Sequence, residues 1–231
     1  MCKGSCRANA RLRDCSNSPT NQNLNIDSPF FLVYNVFISK KDGFEMNELF
    51  KEKKIIAATR TDEEFALALL SDTEIIFDLC ADILTLTKKI KSAHDACKRL
   101  FIHIDLAEGI GRDKSGIMLL KKMGIDGIIS TKVNLIKLAR ETGLCTVQRF
   151  FIVDSKSVHT TVESVRSSRP DMIEIMPATV GKVISRLSRD LPIPIIAGGL
   201  IERADEAKNA IECGAAAVST GQTSLWNGEI K

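Results

Sequence analysis

Eight apolar strand patterns, each followed by a helical one, recur about every 22 residues from Lys54 onward and predict an α/β fold, a compact (β/α)8 barrel of the TIM type. An aromatic content of only 5% leaves an aliphatic core, which suits parallel strands covered on both faces. The third observation is where glycine stands. Gly198-Gly199 follows the seventh strand pattern, and Ser219-Thr220-Gly221 ends the eighth. These are the two places where such barrels hold phosphate. The alternative, an open doubly wound sheet, expects its glycine-rich turn after the first strand. That strand ends Ala57-Ala58-Thr59-Arg60, without glycine.

The first strand begins at Ile55, and Thr61 with Glu64 has capping-box spacing for a helix reaching Leu70. Strand two covers 74–78 and its helix 82–98. Strand three covers 100–105, and after a glycine-containing loop its helix covers 114–123. Strand four spans 126–130 with a helix at 132–142. Strand five spans 145–150, and Asp154 or Ser155 caps a helix reaching Ser168. Strand six spans 171–175 with a helix at 179–189, and strand seven 193–197 with a helix at 203–213. Strand eight spans 216–219, and a last short helix 224–228.

The barrel domain takes residues 46–231. Residues 1–45 differ: they are rich in Asn, Ser, Arg and Cys, and 1–25 have neither helical nor strand period. They read as a poorly ordered extension, or as a misplaced gene start with Met46 the true first residue. Mass spectrometry of the native N-terminus separates the two. The 231-residue chain carries a formal net charge of +3, which alone gives no support for nucleic-acid binding. Residues 30–38 are apolar but too short to span a bilayer, and Lys40-Lys41 follows them, so neither a membrane partner nor a signal peptide is expected. Seven cysteines without zinc spacing read as buried, inert thiols in a reducing, cytoplasmic compartment.

In such a barrel the chemistry belongs to the strand ends and the loops after them. Gly198, Gly199, Ser219, Thr220 and Gly221 form the candidate phosphate cradle, offering backbone N–H groups and hydroxyls to an anion. His103 and Asp105 are two apart on strand three and share a face. Either Asp105 holds a ligand hydroxyl while His103 orients it or meets a phosphate, or the two form a buried pair that only braces the barrel. Lys132, after strand four, offers charge to an anion or is simply solvated. Gln148 and Arg149 are adjacent and point opposite ways, so one faces the ligand and the other braces; arginine suits phosphate. Glu174 accepts from a polyol or pairs with a neighbouring base. No catalytic set is complete. His94 and His159 fall in helices, nothing clusters for a metal, and no Gly-x-Ser-x-Gly occurs. No metal, cofactor or catalytic residue is therefore expected.

Several segments occur in an order that is familiar: His103-Ile104-Asp105-Leu106 with Gly109, Asp126-Gly127-Ile128-Ile129-Ser130-Thr131-Lys132, and Gln148-Arg149-Phe150-Phe151 with Asp154-Ser155. Pro170-Asp171-Met172-Ile173-Glu174 with Pro177, Ile195-Ile196-Ala197-Gly198-Gly199-Leu200-Ile201, and Gly214-Ala215 through Ser219-Thr220 with Leu225-Trp226 complete the set. From Lys54 to Trp226 the chain resembles the glycerol uptake operon antiterminator family. It departs from that pattern at Ala178 and Gly221, where the family usually has Gly and Ser.

The resemblance implies a cytoplasmic regulator that binds glycerol 3-phosphate and acts on the leader mRNA of a glycerol operon, so that transcription passes a terminator. His103, Asp105 and Glu174 would then face the glycerol hydroxyls. RNA contact needs a basic surface. Arg112, Lys114, Lys121, Lys122, Lys132, Lys137 and Arg140 cluster in the third and fourth units, as an RNA face or as ordinary solvated helix faces. Few aromatics are present for base stacking. Loop ordering and homodimer formation are both routes by which ligand could gate the RNA-competent state. The alternative function is a barrel enzyme acting on a small phosphorylated metabolite.

Overall fold

The structure, a computed structural model, describes Phe50 and residues 53–228; the extension, and with it the expectation about Met46, lies outside the described residues. Eight parallel strands close in chain order, with β1 paired to β8. They are β1 (Ile55–Thr59), β2 (Ile75–Asp78), β3 (Arg99–His103), β4 (Gly127–Ser130), β5 (Cys145–Phe151), β6 (Met172–Met176), β7 (Ile195–Gly198) and β8 (Ala217–Thr220). Seven helices alternate with them: α1 (Asp62–Leu70), α2 (Ile83–Asp95), α3 (Lys114–Met123), α4 (Val133–Glu141), α5 (Ser155–Ser168), α6 (Gly181–Asp190) and α7 (Ala204–Glu212). This is the (β/α)8 barrel that the strand–helix rhythm predicts.

Among the boundaries that differ from the sequence expectation, three have a cause in the contacts. After β8 the chain makes only a 3₁₀ turn, Thr223–Leu225, in place of an eighth helix. There the Trp226 indole N–H donates to the Thr220 carbonyl at 2.9 Å, which draws the segment under the barrel rim. Helix α2 stops at Asp95, because Cys97 turns left-handed at φ 56° and Lys98 folds inward to donate to the carbonyls of Ser71 and Thr73. Strand β3 stops at His103, whose carbonyl accepts from Leu106 N at 3.0 Å and starts a turn.

The buried side chains form two layers. One cluster fills the lumen with Ile56, Ala58, Phe77, Phe101, Val147, Met172 and Ile196 among others, and Phe50, which precedes β1, belongs to it. The other packs between strands and helices and includes Ile55, Ala57, Ile76, Ile102, Ile128 and Trp226. Period-two alternation within each strand sorts residues between the layers. Thus on β5 Val147 faces the lumen, Gln148 faces out, and Arg149 faces in.

Local chemistry starts the helices. Side-chain oxygens of Thr61, Asp82, Asp113 and Asp154 accept from Glu64, Leu84, Gly116 and Ser157 amides at the first turns of α1, α2, α3 and α5. The capping-box partner Glu64 bonds Arg60 N at 2.5 Å rather than Thr61 N, which fixes the backbone just after β1. Cys80 and Cys97 are exposed, a correction to the expected burial, while Cys145 and Cys213 are half-buried against the core. Among the described residues no helix is long and apolar enough to cross a membrane.

Candidate functional site

The ends of β7 and β8 stand side by side, Gly198 opposite Ser219. Beyond β7 the backbone is left-handed twice in succession, at Gly199 (φ 76°) and Leu200 (φ 58°). Glycine enters that region freely and leucine rarely. The N–H groups of Gly199, Leu200, Ile201 and Gly221 have no acceptor among the described residues, and all four residues line one cleft of about 290 Å³. Turn amides without protein acceptors make an anion-binding concavity. The hydroxyl hydrogens are already committed. Ser219 Oγ donates to Glu174 Oε1 at 2.6 Å, and Thr220 Oγ1 donates to the Ile201 carbonyl at 2.8 Å. From the Gly199–Ile201 and Ser219–Gly221 segments, the donors left for a ligand are thus backbone amides. Thr220 ties the two loops together, since its hydroxyl also accepts from Gln222 N at 3.0 Å.

Below the cradle lies Glu174, whose side chain is 1% exposed. Its Oε2 accepts from Arg149 Nε at 2.6 Å, and its Oε1 takes the Ser219 hydroxyl. Gly198 makes room for this arrangement: a Cβ there would lie 2.5 Å from Glu174 Oε1 and 2.6 Å from Ser219 Oγ. It supports the cleft from behind. On the β1 side Arg60 lines the cleft, and a Cβ at Gly221 would lie 2.7 Å from its Nη1. Arg60 forms no ion pair among the described residues.

Of the residues singled out from sequence, Gly199, Ser219, Thr220, Gly221, Arg149 and Glu174 meet at this cleft, and Gly198 backs it. His103, Asp105, Lys132 and Gln148 lie outside it. His103 is buried in the lumen, and its Nδ1 has no partner among the described residues. Burial, with the Arg149 guanidinium nearby, holds its imidazole below the ordinary histidine value despite Asp105 and Glu174. Asp105 serves the loop after β4. It accepts from Ser130 Oγ at 2.8 Å and from Thr131 N and Oγ1 at 2.7 Å each. Burial works to raise its pKa, but these bonds outweigh it and hold the carboxyl below the usual range. Lys132 is exposed at the start of α4. Gln148 turns toward α5 and accepts from Ser168 Oγ at 2.5 Å, so Arg149 is the member of that pair that faces the cleft.

Sequence reading missed Arg60, Met176, Leu200 and Glu202, which also line the cleft. Arg60 carried a usable signal: the alternation that turns Ile56 and Ala58 into the lumen continues to it. Leu200 carried none, because a left-handed leucine leaves no trace in composition. Among the described residues no group of three or more His, Cys, Asp or Glu could hold a metal ion. The basic residues Arg112, Lys114, Lys121, Lys122 and Lys137 are exposed on α3, α4 and the loop before α3, while Arg140 is half-buried with a partner of its own.

Known proteins fit this picture. The pattern of the glycerol-3-phosphate responsive antiterminator family matches residues 55–226. The chain is 38% identical over 179 residues to the Escherichia coli K12 protein named uncharacterized protein YgcP, covering 77% of this chain and 94% of that protein. A glycerol uptake operon antiterminator regulatory protein from Listeria monocytogenes is similar in structure, with TM-score 0.74 and 31% identity over 78% of this chain and 98% of that one. A glycerol uptake operon antiterminator-related protein from Thermotoga maritima gives TM-score 0.68 and 32% identity over 77% and 99%. Aldolases at 12–15% identity share the fold alone. A match over most of the barrel, with cleft and cradle inside it, places this chain in the glycerol-3-phosphate responsive antiterminator family.

Proposed function

We propose that the chain is a cytoplasmic regulator that binds glycerol 3-phosphate in the β7–β8 cleft and, so loaded, binds the leader mRNA of a glycerol uptake or utilisation operon. The ligand half is carried by one observation: four acceptor-free amides and two arginines converge on a cleft of about 290 Å³. That volume accommodates a three-carbon phosphate. The phosphate takes the amides, and the glycerol end points to the Arg149–Glu174 floor. Each Glu174 oxygen already accepts one bond and retains a lone pair for a ligand hydroxyl. His103 and Asp105 stand outside the cleft, so the hydroxyl role passes to Glu174 and Arg149. The RNA half is supported by the family description and by the exposed basic residues of α3 and α4. The enzyme alternative has less support: among the described residues no histidine or lysine lines the cleft.

Calorimetric titration with glycerol 3-phosphate, with and without leader RNA, tests both halves. Saturable binding of glycerol 3-phosphate, none of glycerol, and tighter RNA binding with ligand are expected. Phosphorus NMR showing the ligand converted to product would replace the regulator reading by the enzyme one. Gly199→Asp sets a carboxylate against the phosphate in a left-handed turn and is expected to abolish the ligand response. Unchanged affinity in that variant would count against the cradle.

A further inference from the structure

We infer that Arg60 makes the cleft selective for a phosphate monoester dianion, closing the side of the cradle that the amides leave open; this rests on the cleft being the phosphate site. The charge balance singles it out. Arg149 is neutralised by Glu174, to which its Nε donates at 2.6 Å. Glu202, at the rim, is exposed and has Arg203 as a neighbouring charge. Arg60 is the remaining cation of the cleft and forms no ion pair among the described residues.

Its position is built rather than incidental. Its own amide is held by Glu64 Oε2 at 2.5 Å, and the preceding carbonyl, of Thr59, accepts from Leu79 N at 2.9 Å, so the root of the side chain is fixed. Its tip lies over Gly221, where a Cβ would come within 2.7 Å of Nη1. Glycine at 221 therefore lets a guanidinium lie against the same bend whose amide is free. A planar guanidinium offers two parallel N–H bonds to a phosphate, which a lysine ammonium cannot reproduce. Amide dipoles supply partial charge only. A full positive charge beside them is what separates a dianion from a neutral polyol.

The experiment is calorimetry on the full chain with glycerol 3-phosphate and inorganic phosphate, on wild type, Arg60→Met, Arg60→Lys and Lys88→Met. The last removes an exposed charge on α2, away from the cleft. Arg60→Met is expected to lose about tenfold to a hundredfold in affinity for both phosphates, the range of a charged hydrogen-bonding partner. Arg60→Lys is expected to recover part of that loss, and Lys88→Met to stay within about twofold of wild type. Wild-type affinity should also rise as the ligand passes its second ionisation near pH 6, and Arg60→Met should flatten that rise. A merely structural arginine would lower the melting temperature without flattening it. Arg60→Met binding within twofold of wild type, or an equal loss in Lys88→Met, overturns the proposal. Wild type that binds neither phosphate overturns the phosphate cleft itself, a separate result.

Discussion

Glu174 is buried between two donors, Arg149 at 2.6 Å and Ser219 at 2.6 Å. Removing one charge of such a pair strands the other without solvent. Glu174→Gln is therefore expected to destabilise the barrel by about 3–5 kcal/mol in urea unfolding, along with weaker ligand binding. Gly198→Ala pushes a methyl into the same carboxylate and is expected to cost about 1–3 kcal/mol. Because the two residues touch, the double variant should lose less than the sum. His103 gives a pH effect of definite sign. Its folded-state pKa lies below the ordinary 6.5, so the folded chain takes up its proton less readily than the unfolded chain. Its contribution to stability is present above about pH 6.5 and is lost as pH falls through the folded value. Unfolding midpoints from pH 7.5 to 5.5 should show that decline, and His103→Gln should flatten it.

Helices and loops were legible in the sequence to different depths. The starts of α1 and α5 could be read because a cap is local chemistry: one oxygen and an amide three residues on. Asp113→Ala, which removes such a cap from α3, is expected to cost about 1 kcal/mol, read as a lower midpoint with unchanged ligand affinity. The ends were harder. Lys98 leaves its helix to cap carbonyls contributed from residues 71 and 73, a partner distant in the chain. The last segment reads as helical by composition, yet its indole anchor on Thr220 decides its shape. Trp226 is the sole tryptophan and is bonded to the cradle residue Thr220. Ligand binding is therefore expected to shift its emission, and Thr220→Val should reduce that shift.

Across the molecule, the cleft at β7 and β8 and the basic helices after β3 and β4 lie on opposite sides, since β4 stands four strands from β8 in the closed order. The bonded chain Ser219–Glu174–Arg149 crosses part of that distance inside the lumen, from β8 to β5. If the proposed function holds, linkage requires that any factor by which ligand strengthens RNA binding equal that by which RNA strengthens ligand binding. Replacing Lys121 and Lys122 together by Ala is expected to lower RNA affinity and reduce its salt slope by roughly one per lysine that contacts phosphate. Glycerol 3-phosphate affinity measured without RNA should stay as in wild type.

The barrel, its strand order and the two glycine bends could be read from the chain alone, because alternation, helical period and capping are written within a few neighbouring residues. Which polar residues share the cleft could not. His103, Asp105 and Glu174 look alike in sequence, but only Glu174 reaches it, while Arg60 enters from the other end of the chain. Closing the sheet sets β1 beside β8, and alternation along β1 turns Arg60 inward, but which inward side chains reach the same cleft is decided by packing between segments distant in the chain.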